Sequence, residues 1–249
     1  MIYLTMVFLA VASLALALKF RKSDEFLSEP APSIESKPRI VIIGNSITLH
    51  GPKPTSGWFG NQGMAASNID HDFAHVLIAR LGIDRRDAYI RNFYPFETSN
   101  EGAKENIESL SGVLDTHPPI TVLELGDNTK FYKAFDFYHF STNYHELVTR
   151  VAKSSGHVYC ISTYWRSRLI DWTIKSACKK YGGTYVDIGD IYNAPGNPDR
   201  LTTNFPDPGV DKHPKDHGMQ EIAIRLERAI TRTGASATGE STAATAQSQ

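Results

Sequence analysis

The stretch RIVIIGNSITLHG, residues 39–51, joins an apolar run to a cluster of small polar residues. Ile40–Ile43 is a continuous β-branched run, which is typical of a strand buried on both faces. Gly44, Asn45 and Ser46 follow at once, so a serine lies at the end of a central strand. Ligands of open α/β sheets bind outside the carboxyl ends of the strands, which makes Ser46 a candidate for chemistry. Alternatively, Asn45 and Ser46 only end the strand and cap the next element.

Short apolar runs alternate with longer helical patterns along the chain, as in a parallel sheet covered by helices. This order predicts an α/β domain of three layers, α/β/α, with a five-stranded parallel sheet. No GxGxxG or Walker A motif follows any strand, which argues against nucleotide binding by those routes. We expect strands at 39–43, 88–93, 120–125, 157–162 and 184–188, and helices near 70–81, 100–115, 143–155, 167–181 and 216–232.

The composition indicates one large domain whose partner is small. The chain has 249 residues, of which 41% are hydrophobic, enough to bury one full core. Its 26 basic and 27 acidic residues give a net charge of −1, so no nucleic-acid partner is expected. We expect a small or neutral substrate and no cofactor.

The first 22 residues differ from the rest of the chain. Residues 2–18 carry no charge and are almost wholly apolar, and Lys19, Arg21 and Lys22 follow. This pattern predicts a membrane anchor or an export signal, with Ala15-Leu16-Ala17 as a candidate cleavage site. We therefore expect a membrane-anchored or secreted protein whose domain is extracytoplasmic, although basic residues after the apolar run would by themselves favour a cytoplasmic flank.

The remaining boundaries follow from composition. Residues 23–38 are polar and contain proline, as in a linker, and residues 39–233 form the predicted folded domain. Residues 234–249 are rich in Ala, Ser, Thr and Gly and are predicted to be a disordered tail. The two cysteines, Cys160 and Cys178, are expected to be free buried thiols, while a single bridge between them would suit an exported domain.

A serine nucleophile needs a base, and His213 is the candidate among nine histidines. It precedes Pro214, which suits the first turn of the last helix and leaves His213 on the entry loop. A surface histidine at a helix entry is the alternative. The strand at 120–125 ends in Gly126-Asp127-Asn128, where Asn128 could donate its amide to an oxyanion, although these residues are also ordinary turn formers.

Together, the three segments resemble the SGNH, or GDSL-type, hydrolase family. The Gly-Asp-Ser block of that family resembles Gly44-Asn45-Ser46, its Gly-x-Asn block matches Gly126-Asp127-Asn128, and its terminal His-Pro matches His213-Pro214. The resemblance covers residues 39–232 and implies a flavodoxin-like fold and ester hydrolysis. It also implies that Ser46 is the nucleophile, that His213 is the base, and that the Ser46 amide and the Asn128 side chain form the oxyanion hole.

The sequence departs from the family at two positions. The family places an aspartate three residues before the histidine, where this chain has Val210. Asp211 and Asp207 lie nearby, and we expect Asp211 to orient His213, while a backbone carbonyl could do part of this. The second departure is the missing glycine near residues 92–97, for which the backbone amide of Tyr94 or of Phe93 is the expected substitute donor.

Other patterns leave two readings open. His71 and His75, like His213 and His217, have a metal-ligand spacing, but no third ligand is evident, and solvated helix faces are the default. No metal is predicted. Trp58 and Phe59 could form a substrate wall or pack within a loop, and Tyr164-Trp165-Arg166 could meet a substrate or cover the core.

Two functions compete at this stage. The first is a serine esterase, with an O-acetyl group on a carbohydrate as a candidate substrate. The second is a catalytically inactive relative that binds a glycan or an acyl ligand in the same pocket, as the departures at Val210 and Tyr94 suggest. The oligomeric state is open.

Overall fold

The computed structural model describes residues 37–99, 103–130 and 134–234. The predicted anchor or signal segment, nearly all of the predicted linker and the predicted tail beyond residue 234 lie outside these ranges. Within them, no helix combines the length and the apolar character needed to span a bilayer.

The centre of the fold is a sheet of five parallel strands in the order β2-β1-β3-β4-β5. This is the flavodoxin-like order, and the chain switches direction across the sheet between β1 and β3. Gly44 at the end of β1 lies beside Asn92 of β2 and Glu124 of β3, so the loops that follow these three strands meet at one edge. The strands are β1 (Ile40–Gly44), β2 (Ala88–Asn92), β3 (Ile120–Glu124), β4 (His157–Ile161) and β5 (Thr184–Val186).

Helices cover both faces of the sheet. In chain order they are α1 (Phe73–Arg80), α2 (Tyr94–Thr98), α3 (Ala103–Glu108), α4 (Ser111–Leu114), α5 (Ala134–Ser154), α6 (Arg168–Lys180), α7 (Pro198–Leu201), α8 (Pro208–Asp211) and α9 (Asp216–Thr233). Two short 3₁₀ turns, Pro54–Ser56 and Arg85–Asp87, lie in the connections.

The alternation of side chains along β1 divides the core into two layers. Ile40 and Ile42 pack with residues of α1 and α9, whereas Val41 and Ile43 face the opposite layer, which includes α5 and α6. All five residues of β1 are buried. This double burial is what a continuous β-branched run predicts, and it matches the position of β1 between β2 and β3 in the interior of the sheet.

The predicted strands and the three-layer architecture are confirmed, with differences in the helices. The helix expected at 143–155 begins at Ala134, and Phe140 and Tyr144, one turn apart, are both buried with their rings 5.5 Å apart. Packing of these aromatic side chains extends the helix beyond what propensity indicated. The helix expected at 100–115 is divided into α3 and α4, with a hydrogen-bonded turn between them.

The expectation of two free thiols is wrong, because Cys160 and Cys178 form a disulfide. Cys160 lies in β4 and Cys178 in α6, their Cα atoms are 6.1 Å apart, and both side chains are fully buried. Both cysteines face the same core layer, which brings the two thiols together. The bridge therefore joins a central strand to the helix that covers it.

Candidate active site

Ser46 and His213 contact each other at the carboxyl edge of the sheet. The distance between Ser46 Oγ and His213 Nε2 is 2.9 Å, although 167 residues separate them in sequence. Ser46 lies in the turn after β1, and His213 lies in the short segment between α8 and α9. Both side chains are half-buried. The structure thus brings together the two residues that the sequence proposed as nucleophile and base.

A backbone carbonyl orients the His213 ring. His213 Nδ1 lies 2.8 Å from the carbonyl oxygen of Gly209, which can only accept a hydrogen bond. In the neutral ring the proton must therefore be on Nδ1, which leaves Nε2 free to accept from the Ser46 hydroxyl. Burial of the ring, with a smaller effect from nearby His50, lowers the pKa of His213 to about 4. The imidazole is consequently neutral at pH 7 and able to take a proton.

Asp211, which we expected to orient His213, does not contact it. Asp211 Oδ1 accepts hydrogen bonds from the amides of Asn204 and Phe205 at 2.8 and 3.2 Å and lies 3.2 Å from Lys215 Nζ. That expectation is wrong because α8 presents the carbonyl of Gly209, and not the side chain of its last residue, to the imidazole.

The positions near Asp211 serve other purposes. Asp207 caps α8 by accepting from the amides of Gly209 and Val210 at 2.7 and 3.3 Å. Val210, at the position where the SGNH family has an aspartate, is buried in a small apolar cluster with Trp58 and Met64. Valine at this position adds apolar burial to that cluster and supplies no carboxylate to His213.

Two groups can donate hydrogen bonds to an oxyanion. The Ser46 amide has no acceptor among the described residues. Asn128 Nδ2 donates one hydrogen bond to Glu97 Oε2 at 2.7 Å. The second hydrogen on Nδ2 has no acceptor among the residues that the structure describes. Asn128 is half-buried, so that second hydrogen is available to a ligand.

The backbone amide expected from Tyr94, or from Phe93, is not available. The Phe93 amide donates to the carbonyl of Gly44 at 2.5 Å, and the Tyr94 amide donates to Asn92 Oδ1 at 2.9 Å. The chain enters α2 directly after β2, and the first amides of this helix are taken by strand and side-chain acceptors. Tyr94 is therefore wrong as a member of the oxyanion hole.

Two buried glutamates that sequence analysis missed lie behind Ser46. Glu97 in α2 is 6% exposed and Glu124 at the end of β3 is 1% exposed. Burial raises the pKa of both carboxyl groups, most strongly for Glu124. Glu124 was visible as a charged residue inside the apolar run 120–125, which is unusual for a central strand and could have flagged it.

Asn45 connects these glutamates to the nucleophile turn. Asn45 Nδ2 lies 3.2 Å from Glu97 Oε1 and 3.2 Å from Glu124 Oε1, and its backbone amide lies 3.2 Å from Glu124 Oε2. Its Oδ1 accepts from the amide of Ile47 at 2.9 Å, and Thr48 Oγ1 donates to Glu124 Oε2 at 3.0 Å. The residue before Ser46 is therefore a donor to both carboxylates.

Asp127 fixes the backbone of Tyr164 and Trp165, beside His213. Its carboxylate accepts hydrogen bonds from the amides of Tyr164 and Trp165, both at 3.1 Å, and burial raises its pKa to about 7. The Trp165 ring meets the His213 ring edge-on, with centroids 5.1 Å apart. In the loop after β4, Tyr164 is in the core, Trp165 borders the site, and Arg166 pairs with Asp187.

The remaining residues that the sequence suggested for a substrate wall or a metal site make other contacts. Trp58 is buried against Phe205, whereas Phe59 is 73% exposed. His71 pairs with Asp216 and His75 with Asp72, so the two histidines do not share a ligand. Over the described ranges, no three His, Cys, Asp or Glu side chains are grouped as metal ligands.

Comparison with known proteins identifies the fold. No family model matches the sequence, and no curated protein is significantly similar to it. Among solved structures, a protein of Bacteroides uniformis named as GDSL-like lipase has a TM-score of 0.52 at 15% identity, covering 78% of this chain and 96% of its own. A protein of Bacteroides ovatus with the same description has a TM-score of 0.50 at 12% identity, covering 79% and 100%.

A third solved structure, the YxiM protein of Bacillus subtilis, has a TM-score of 0.53 at 17% identity and covers 80% of this chain and 57% of its own. At such identities the likeness concerns the fold. The chain thus has the three-layer fold of GDSL-type proteins, as the three sequence blocks predicted.

Proposed function

We propose that the protein is a serine esterase in which Ser46 attacks the acyl carbon of an ester and His213 accepts the proton. The observation that carries this proposal is the 2.9 Å contact between Ser46 Oγ and His213 Nε2 on a ring whose Nδ1 is fixed by a carbonyl. A serine hydroxyl becomes an effective nucleophile only when such a base removes its proton.

The proposed reaction has two halves. As Ser46 Oγ bonds to the acyl carbon, its proton passes to His213 Nε2, and the negative charge on the former carbonyl oxygen is met by the Ser46 amide and Asn128 Nδ2. His213 then returns the proton to the leaving alcohol and the acyl-enzyme forms. Water, deprotonated by His213, then attacks the acyl carbon; the bond to Ser46 Oγ breaks, His213 returns the proton to that oxygen, and the acid is released.

The substrate class that suits the surroundings of His213 is an ester of a hydroxyl-rich alcohol, such as an O-acetylated sugar. A cavity of about 250 Å³ borders His213 and is lined by Tyr164, Tyr192, Asp199, Arg200, Asp211 and Lys212. Since His213 protonates the leaving alcohol, that alcohol lies on the histidine side, where these polar groups can bind hydroxyls.

Labelling of the full-length chain with a fluorophosphonate tests the proposal, because the probe reacts only with an activated serine. We expect a single modified residue, Ser46, identified by peptide mapping, and no labelling in His213→Ala. Ser67→Ala is a matched control, since Ser67 Oγ also lies 2.7 Å from a histidine, His71, but on the exposed surface. Labelling that persists in Ser46→Ala would contradict the assignment.

The second candidate function is a noncatalytic module that binds a glycan or an acyl ligand. The observation that favours it is that, among the described residues, no carboxylate contacts His213, and that the Tyr94 amide is taken by Asn92 Oδ1. A folded protein that binds acetylated sugars but shows neither fluorophosphonate labelling nor ester turnover would support this function over the esterase.

We further infer that the domain works outside the cytoplasm. The support is the disulfide between Cys160 and Cys178, a bond that reducing compartments do not maintain, together with the apolar residues 2–18. Fusing residues 1–38 to a phosphatase that is active only after export tests this. An inactive fusion of normal abundance would contradict an extracytoplasmic domain.

A further inference from the structure

We propose that Glu97 is a positioning residue that holds the side chain of Asn128 in place for the oxyanion, with Asn45 as its required amide partner. This inference rests on the proposed function, in which Asn128 is an oxyanion donor. It assigns a role to a side chain from α2 that does not itself touch the ester.

The side-chain carboxyl group of Glu97 links the loops that follow three strands. Its Oε2 accepts from Asn128 Nδ2 at 2.7 Å, after β3, and its Oε1 accepts from the Gly126 amide and, at 3.2 Å, from Asn45 Nδ2, after β1. Glu97 itself follows β2. It is the described side chain that contacts both the residue before the nucleophile and the candidate oxyanion donor.

The backbone that carries Asn128 is equally constrained. Gly126 has a φ of 131°, which L side chains rarely adopt, and a Cβ there would lie 2.7 Å from Ile170 Cγ2. Its amide also donates to Glu97. Glu97 therefore fixes both the turn and the side-chain amide of Asn128, so a change at Glu97 should move the donor.

Asn45 explains why two buried carboxylates can lie next to the nucleophile turn. The Ile47 amide donates to Asn45 Oδ1, which directs the Asn45 NH₂ group toward Glu97 and Glu124. An aspartate at position 45 has no hydrogen to donate and would add a third buried carboxylate. Asparagine at the second position of the Gly-Asp-Ser block is thus coupled to the presence of Glu97.

The first experiment compares Glu97→Gln with Glu124→Gln in the full-length protein. Glutamine at position 97 replaces one acceptor oxygen by an NH₂ group, so Asn128, Gly126 or Asn45 loses its acceptor. We expect kcat for 4-nitrophenyl acetate to fall by about 10²-fold, as for a misplaced catalytic donor, with KM changed less than about threefold. Glu124→Gln removes a buried carboxylate that does not contact Asn128 and should lower kcat by less than about tenfold.

The second readout is independent of activity. The side-chain NH₂ group of Asn128, assigned in a ¹⁵N–¹H spectrum with Asn128→Asp, should shift in Glu97→Gln and stay in place in Glu124→Gln. An unshifted Asn128 signal in folded Glu97→Gln, or unchanged kcat in that variant, would overturn the positioning role. If the parent protein hydrolyses no ester and takes no fluorophosphonate, the proposed function fails, while the NH₂ signal still decides whether Glu97 holds Asn128.

A rescue experiment tests the coupling between Asn45 and Glu97. Asn45→Asp should lower kcat by more than about 10²-fold, because it removes both donated hydrogen bonds and adds a charge. In the double variant Asn45→Asp with Glu97→Gln, the amide and the carboxylate exchange positions, so one donor again faces one carboxylate. This variant should recover at least about tenfold of the lost kcat. A double variant no better than Asn45→Asp would contradict the coupling.

Discussion

Ser46 and His213 are held in place by contrasting means. Behind Ser46, the turn is fixed by Asn45 and by two buried carboxylates, Glu97 and Glu124. Behind His213, the carbonyl of Gly209 accepts from Nδ1, and the Trp165 ring lies alongside. A carbonyl dipole can fix the tautomer of an imidazole, but it stabilises an imidazolium less than a carboxylate does. The contrast indicates that this site orders the nucleophile side with buried, hydrogen-bonded carboxyl groups and relies on backbone geometry for the base.

The largest effect is expected from removing the nucleophile. Ser46→Ala should lower kcat for 4-nitrophenyl acetate by about 10⁴-fold or more, because the acyl-enzyme can no longer form. The melting temperature should change little, since Ser46 is half-buried and makes one side-chain hydrogen bond. Steady-state kinetics with Ser67→Ala as the control variant measures this. A rate within tenfold of the parent would show that another group attacks the ester.

A smaller loss of activity is expected from removing the oxyanion donor Asn128. Asn128→Ala removes one oxyanion donor and should reduce kcat by about 10²–10³-fold. Fluorophosphonate labelling of Ser46 should persist, though more slowly, because the nucleophile and the base remain. If Asn128→Ala kept the parent kcat, the oxyanion would have to be bound by other donors.

The weakly held histidine predicts an unusual pH profile. Burial lowers the pKa of His213 to about 4, and the neutral base is present above that pKa, so activity should be retained as pH falls below 6.5. At pH 5 about nine-tenths of such a ring is neutral, against about 3% for an ordinary histidine, a difference of roughly thirtyfold in rate. A profile of kcat/KM against pH measures this. An acidic limb near pH 6.5 would contradict the proposed environment of His213.

The smallest effect on activity is expected at Asp211. A variant at this position distinguishes orientation of His213 by the Gly209 carbonyl, which the structure shows, from orientation by Asp211, which the sequence suggested. Asp211→Asn should change kcat less than about threefold, because its carboxylate does not reach His213. It should lower the free energy of unfolding by about 1–2 kcal/mol, since it weakens the pair with buried Lys215. Kinetics combined with urea unfolding measures both. A loss of 10²-fold in kcat would restore Asp211 as the orienting acid.

The sequence was sufficient for the architecture because the determining signals are local. Ile40–Ile43 and the run at 120–125 have the composition of doubly buried strands, and both lie at the centre of the sheet. Since carboxyl ends of parallel strands meet at one edge, residues after β1 and β3 had to lie close together. The contact of Ser46 with His213 followed from the additional requirement that the last helix begin at that edge.

The parts that sequence analysis missed depend on backbone atoms and on burial. The carbonyl of Gly209 carries no side-chain signature, so the orienting group was assigned to the nearest acid, Asp211. The Tyr94 amide was assigned as a donor without knowledge that α2 begins there and that this amide donates to Asn92 Oδ1. Glu97 lay in a segment already noted for its missing glycine, but only its three-dimensional contacts distinguish it from an exposed acid.

The disulfide gives the protein an oxidised and a reduced form. These forms should differ more in stability than in activity. Cys160 and Cys178, 18 residues apart, close a ring that contains Trp165, the residue that borders His213. Such a ring raises the free energy of unfolding by about 3 kcal/mol in the chain-entropy description. Asp127 holds the backbone of Trp165 by a hydrogen bond that does not depend on the bridge. Oxidised and reduced preparations should therefore turn over an ester at similar rates, yet lose activity on storage or heating at very different ones.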